Sequence, residues 1–183
     1  MARALIFPGQ GSQKVALSVA YFRPVHCLHS DAPCTSATHP LGQNAHLISP
    51  LLDDVTHNSK ILDAVQSLIG ENILVCGTTL FIKNPNEKGF VSYHQDAKYI
   101  GLKPYNWVTA WVAITNSNEK NGCMRMWSGS HKDNLKKHDQ KFNAGNLLTR
   151  GQTVQNVPKK ETTPLILKAG QMSLHHPTVV HGS

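Results

Sequence analysis

From His46 onward the apolar positions fall into short periods that change along the chain. In LISPLLDDV and then SKILDAVQSLIG, apolar side chains recur at Ile61, Leu62, Val65, Leu68 and Ile69. This is the stripe of an amphipathic helix, with Asn58 or Ser59 suited to cap its start and Gly70 its end. The period then shifts. NILVCGTTLFIK (72–83) is β-branched and apolar and predicts a strand, NPNEKG (84–89) a turn, and FVSYHQD (90–96) a second, alternating strand. VTAWVAITN (108–116) and CMRMWSG (123–129) predict two more strands, separated by the polar loop SNEKNG. Residues 131–162 are polar and lysine-rich, which predicts a long excursion with a helical piece. The last stretch, TPLILKAGQMSLHHPTVVHGS (163–183), predicts two strands around an Ala169-Gly170 turn. One helix leading into many short strands predicts a mainly β fold with helical cover, an antiparallel sandwich or barrel of the jelly-roll kind.

The first 44 residues read differently. HSDAPCTSATHPLGQN (29–44) is rich in small polar residues and turn formers, the composition of a loop or linker. Within this region QKVALSVAYF (13–22) has the length of about two helical turns. The expected division is therefore an arm over 1–44, a fused or misjoined beginning, and one domain over 45–183. Removal of the arm is expected to leave the chemistry of that domain intact.

Composition narrows the class. At 183 residues, with 40% hydrophobic and 16% charged, the chain has material for one core, which excludes a disordered chain, a collagen-like repeat or a coiled coil. No apolar run approaches the roughly 18 residues of a bilayer span, and MARALIF is too short for a secretory leader. An intracellular, cytoplasmic protein is expected. The net charge of +7 is compatible with an anionic partner. However, the densest basic cluster (Lys132, Lys136, Lys137, Lys141) has acidic neighbours and no aromatic base-stacking partners, so neither nucleic acid nor membrane is expected. Cys27, Cys34, Cys76 and Cys123 have neither zinc-knuckle nor redox spacing and read as free thiols.

The chemistry concentrates in two places. In His94-Gln95-Asp96, residues i and i+2 of a strand share a face, so an imidazole and a carboxylate project side by side. Such a pair suits Fe(II), Mn(II) or Zn(II), and one more histidine would complete a facial triad with three open positions. A hydrogen-bonded surface pair is the plainer alternative. SLHHPTVVHGS then places His175, His176 and His181 within seven residues. His181 is the strongest candidate for the third ligand, because Gly182 beside it permits close backbone approach. His175 and His176 read equally well as a solvated pair at a strand edge.

FVSYHQDAKYIGL, then VTAWVAITNSNEKNGCMRMWSGSHK, then HHPTVVHGS follow in an order that resembles the phytanoyl-CoA dioxygenase family, over roughly residues 46–183. The resemblance implies a double-stranded β-helix (jelly-roll, cupin-like) core. It also implies an Fe(II)- and 2-oxoglutarate-dependent dioxygenase that uses O2 to hydroxylate a small organic substrate, releasing succinate and CO2. Candidate substrates are an acyl-CoA, an amino-acid derivative or a secondary metabolite. Carried over by position, it makes His94, Asp96 and His181 the iron ligands. Ser183 and Trp111 would belong to the 2-oxoglutarate pocket, with Thr79, Phe81 and Lys83 facing the same cavity. Tyr99 would face the substrate or, equally, fill the core. A carboxylate at Asp96 argues for hydroxylation over halogenation.

Two departures accompany the resemblance. The family places an arginine after the HGS motif to pair with the distal carboxylate of 2-oxoglutarate, a task for which lysine is a poorer match. The chain ends at Ser183, and its arginines (3, 23, 125, 150) fall elsewhere, so a fold truncated at its C-terminus is expected. A catalytically silent jelly-roll that binds metal or serves a structural role is the alternative reading. MARALIFPGQGSQ, for its part, resembles the opening of malonyl-CoA:acyl carrier protein transacylases. No G-H-S-x-G nucleophile elbow follows, so an acyltransferase is excluded.

Overall fold

The computed structural model describes residues 14–22, 43–83, 88–140, 144–148 and 151–183. The transacylase-like opening, Cys27, Cys34 and most of the expected 84–89 turn lie outside these residues. Among the described residues the α-helices are α1 (Pro50–Thr56), α2 (Ser59–Ile69) and α3 (Asp96–Ile100). The strands are β1 (Lys14–Phe22), β2 (Leu74–Lys83), β3 (Trp107–Ala113), β4 (Arg125–Trp127), β5 (His138–Gln140), β6 (Gln152–Val154), β7 (Thr162–Pro164), β8 (Met172–His175) and β9 (His181–Gly182). A four-stranded sheet in the order β2-β1-β3-β8 faces a smaller sheet, β7-β4-β9, while β5 and β6 form a hairpin. Every pairing between these strands is antiparallel.

Alternation along β1 and β3 sorts side chains between two layers. Leu17, Val19, Tyr21, Val108 and Ala110 pack under Leu52 of α1 and under Ile61 and Val65 of α2. On the opposite face Ala16, Trp111 and Ala113 meet Met124, with Met126, Leu165 and Leu167 against them. The expected helix is α2, capped by the Asn58 side chain, which accepts from the Lys60 N–H, and closed at Gly70. Its stripe is narrower than the sequence implied, because Leu68 is 61% exposed.

Residues 13–22 correct the sequence expectation. The described part, Lys14–Phe22, forms no helical turns and no detached arm: it is a strand hydrogen-bonded on both sides, to β2 and to β3. A central strand is buried on both faces, so small Ala16 and Ala20 alternating with Leu17, Val19 and Tyr21 is the pattern that fits there. Read locally, those alanines look like helix formers. Removing residues 1–44 would therefore take out the middle of the sheet and is not expected to spare the domain. Leu17 is fully buried, and Leu17→Ala is expected to cost about 2–5 kcal/mol, readable as a lowered denaturation midpoint.

Residues 131–162 also differ from expectation. Among the described residues of this stretch, helical content is limited to 3-10 turns at Ser130–Asp133 and Lys159–Glu161, with β5 and β6 between. Among the described residues no helix is long and apolar enough to cross a membrane. Neither Cys123, which is buried, nor Cys76, which is half-buried, is in a disulfide.

Candidate metal centre

Two backbone segments carry the site. His94 and His181 face each other across an antiparallel bridge, with N–H···O distances of 2.8 and 3.0 Å, and Val91 and Ser183 repeat the pattern at 2.7 and 2.8 Å. The strand expected over 90–96 is reduced to this. The Gln95 N–H is taken by Nε2 of His138 at 3.1 Å and the Ala97 N–H by the Pro177 carbonyl at 2.9 Å, so no ladder continues. Asp96 opens α3, yet the extended backbone at Gln95 (φ −121°, ψ 128°) preserves the two-residue alternation. His94 and Asp96 thus converge as expected, for a slightly different reason.

One ligand atom each from His94, Asp96 and His181 lies within 4.8 Å of the others. Asp96 Oδ1 is 3.3 Å from His94 Nε2 and 3.5 Å from His181 Nε2. Nδ1 of His94 lies 2.8 Å from the Ser92 carbonyl and Nδ1 of His181 lies 3.1 Å from that of Val179. A carbonyl only accepts, so both rings carry a proton on Nδ1 and turn Nε2 toward Asp96. These residues fit a divalent metal: two oriented neutral imidazoles and one carboxylate are a borderline-to-hard donor set. Burial pushes the Asp96 carboxyl up, but the three imidazoles that surround it, His181 first and then His175 and His94, outweigh burial and hold it well below the usual carboxylate range. Burial, and then His94, push His181 down to about 3 against the pull of Asp96, keeping its lone pair free near neutral pH.

A cavity opens from these three residues and is also lined by Thr79, Phe81, Lys83, Tyr99, Trp111 and Ser183, the other positions that the resemblance implied, while His176 is not among its lining residues. Lys83 donates to Ser183 Oγ at 2.8 Å and to the Gly122 carbonyl at 3.3 Å. Burial lowers its pKa, partly opposed by Cys123. Tyr99 sets its ring edge-on to His94, centroids 5.4 Å apart, and donates to the Gln152 carbonyl at 3.2 Å.

Sequence reasoning missed several supporting residues. His175 is no solvated edge residue: it is 5% exposed and places Nε2 3.2 Å from Asp96 Oδ2. Thr109 donates to the same oxygen at 2.7 Å. Gln95 is fully buried. Its amide donates to the carbonyls of Asn134 and Thr178 and accepts from Lys136 N–H at 2.7 Å, stitching the lysine-rich excursion to the ligand segment. No local signal marked it, since alternation turns the residue between two ligands to the opposite face, and only the packing of the excursion against that face buries it.

The family model described as phytanoyl-CoA dioxygenase (PhyH) matches residues 29–183. The chain belongs to the phytanoyl-CoA dioxygenase family. Among curated family members, the Arabidopsis thaliana phytanoyl-CoA dioxygenase is 28% identical over 78% of this chain and 50% of its own length. The human peroxisomal phytanoyl-CoA dioxygenase is 30% identical over 68% of this chain and 38% of its own. The chain therefore spans half or less of these relatives. Among solved structures, the non-heme monooxygenase ThoJ in its apo form matches with a TM-score of 0.66 at 34% identity, over 76% of this chain and 51% of that one. Its nickel complex matches with a TM-score of 0.59 at 31% identity, over 77% of this chain and 50% of that one. The match begins at residue 29, earlier than the 46 at which the sequence motifs become readable.

Proposed function

We propose that this chain carries the iron and 2-oxoglutarate site of a hydroxylating dioxygenase on a double-stranded β-helix, with His94, Asp96 and His181 as the Fe(II) ligands. The observation that carries the reading is the pair of imidazoles, each anchored through Nδ1, turned onto one carboxylate oxygen at 3.3 and 3.5 Å. When bound, iron with 2-oxoglutarate and O2 supplies the oxidising chemistry that hydroxylates a small organic substrate. Membership in the family and the likeness to a metal-binding non-heme monooxygenase support the cofactor set.

The protein's own residues divide the remaining work. Lys83 and Ser183, bonded to each other at the cavity wall, offer an ammonium and a hydroxyl to the distal carboxylate of 2-oxoglutarate. Among the described residues lining the cavity, Lys83 is the one lysine or arginine. Trp111, 4% exposed, and Thr79 shape the same end and keep water from it. Tyr99 steadies the His94 ring and borders the space left for substrate.

The test is an anaerobic Fe(II) titration with and without 2-oxoglutarate, followed by the weak visible charge-transfer absorption of the chelate. A band requiring both components is expected; iron binding with no band would favour the catalytically silent module. In the same assay Lys83→Met is expected to weaken 2-oxoglutarate about 10- to 100-fold, the worth of a charged hydrogen bond. Fe(II) affinity should stay unchanged.

A further inference from the structure

We propose that Thr109 and His175 are positioning residues that hold the outer oxygen of Asp96, so that Oδ1 alone is presented to a metal. This rests on the reading that His94, Asp96 and His181 form the metal site. The clamp is a product of sheet register. In the antiparallel pairing of β3 with β8, Thr109 lies directly opposite His175, with Trp111 opposite Ser173 one step along. Thr109 and His175 both line the cavity and both reach the same atom, Asp96 Oδ2, at 2.7 and 3.2 Å. They are 2% and 5% exposed, so water has little access to compete for that oxygen.

The direction of each bond follows from the acceptor. A carboxylate accepts only, so Thr109 contributes its hydroxyl proton and His175 carries its proton on Nε2. Nδ1 of His175 is then a lone pair, buried and without a hydrogen-bond partner. A ring nitrogen left unpaired in the interior costs free energy that an apolar side chain at this register position would not incur. The bond to Asp96 is what the imidazole supplies in return. His175 is not itself one of the three clustered ligand residues; its ring stacks at 4.6 Å, tilted, against that of His181.

A free aspartate can offer a metal one oxygen or both, and it can rotate between the two. The two donors on Oδ2 fix the orientation of the carboxylate and leave Oδ1 on the side where Nε2 of His94 and of His181 converge, so one oxygen is offered. One-oxygen binding leaves the remaining coordination positions to cosubstrate and O2. Outer partners of this kind orient and tune first ligands, and their loss typically costs 10–100-fold in metal affinity.

The experiment is a Co(II) titration of the full chain, followed by visible d–d absorption. Thr109→Val, which keeps the shape and removes the donor, and His175→Phe are each expected to weaken Co(II) about tenfold or more and to shift the absorption bands. Thr109→Ser and His175→Gln retain a donor and should recover most of both. Wild-type affinity and bands in folded valine and phenylalanine variants would overturn the proposal. Equal losses in the conservative and non-conservative variants would also overturn it, since packing would then be the cause. Should His175→Phe fail to fold, the isosteric Thr109→Val and Thr109→Ser pair decides by itself. His94→Ala, run alongside, must abolish Co(II) binding. If it binds Co(II) like the wild type, the metal-site reading falls, and the positioning role with it, whereas the outcomes above discard the positioning role alone.

Discussion

A His94→Ala variant is expected to lose Fe(II) binding and with it any 2-oxoglutarate-dependent turnover, while remaining folded. The loss should exceed about 100-fold in metal affinity, because second-layer partners of metal ligands alone are worth 10–100-fold. The imidazole supplies one of three donor atoms within 4.8 Å, and no other described histidine is placed to replace it, His175 being engaged with the far oxygen of Asp96. The fold should survive because the bridge to His181 is made by backbone groups, which alanine retains. Anaerobic equilibrium dialysis against Fe(II), with far-UV circular dichroism on the same sample, checks both halves. A folded variant that still holds iron at wild-type affinity would remove His94 from the site.

Gly182→Ala is expected to damage the site without touching a ligand. A β-carbon at residue 182 would lie 2.8 Å from the Val91 carbonyl oxygen, 3.0 Å from the Tyr93 nitrogen and 3.1 Å from its α-carbon. All three are backbone atoms, which cannot swing aside as a side chain can. The two segments must part, and they are the segments that carry His94 and His181. Overpacking of this kind costs about 1–3 kcal/mol, and the shifted ligands should lower metal affinity by about tenfold or more. Denaturant unfolding and metal titration should both move. If stability falls and affinity does not, the segments have separated without disturbing the donor atoms, and the glycine matters to the fold alone.

Much of this was readable in the sequence wherever a local period expressed it. α2 was legible from Ile61 and Val65 with Asn58 and Gly70 at its ends, β2 and β3 from apolar, β-branched runs, and β4 as a short segment between the SNEKNG loop and a Ser-Gly turn. β1 was not, because KVALSVAYF places small residues at alternate positions. A central strand tolerates these on a face packed tightly against a second layer, but they signal helix when read without that layer. The 131–162 excursion resisted reading for a related reason. Its two short strands are held by each other, and its Asn134 and Lys136 by the buried Gln95 amide, partners that lie about 40 residues away.

The sequence alone determined which residue types could meet: a histidine and an aspartate two apart, a histidine beside a glycine, and a lysine and serine with the chemistry to take an anion. Spacing of two along extended backbone is a local property, so it survived even where the strand expected over 90–96 gave way to a bridge and a helix start. What only the tertiary structure decided is how Asp96 is held. Thr109 and His175 reach one oxygen because β3 and β8 pair in one register, and a slip of β8 by one residue would turn His175 to the opposite face of the sheet from Thr109. No local pattern in either strand encodes that register. It is set by the packing of both sheet faces at once, helices on one side and the smaller sheet on the other.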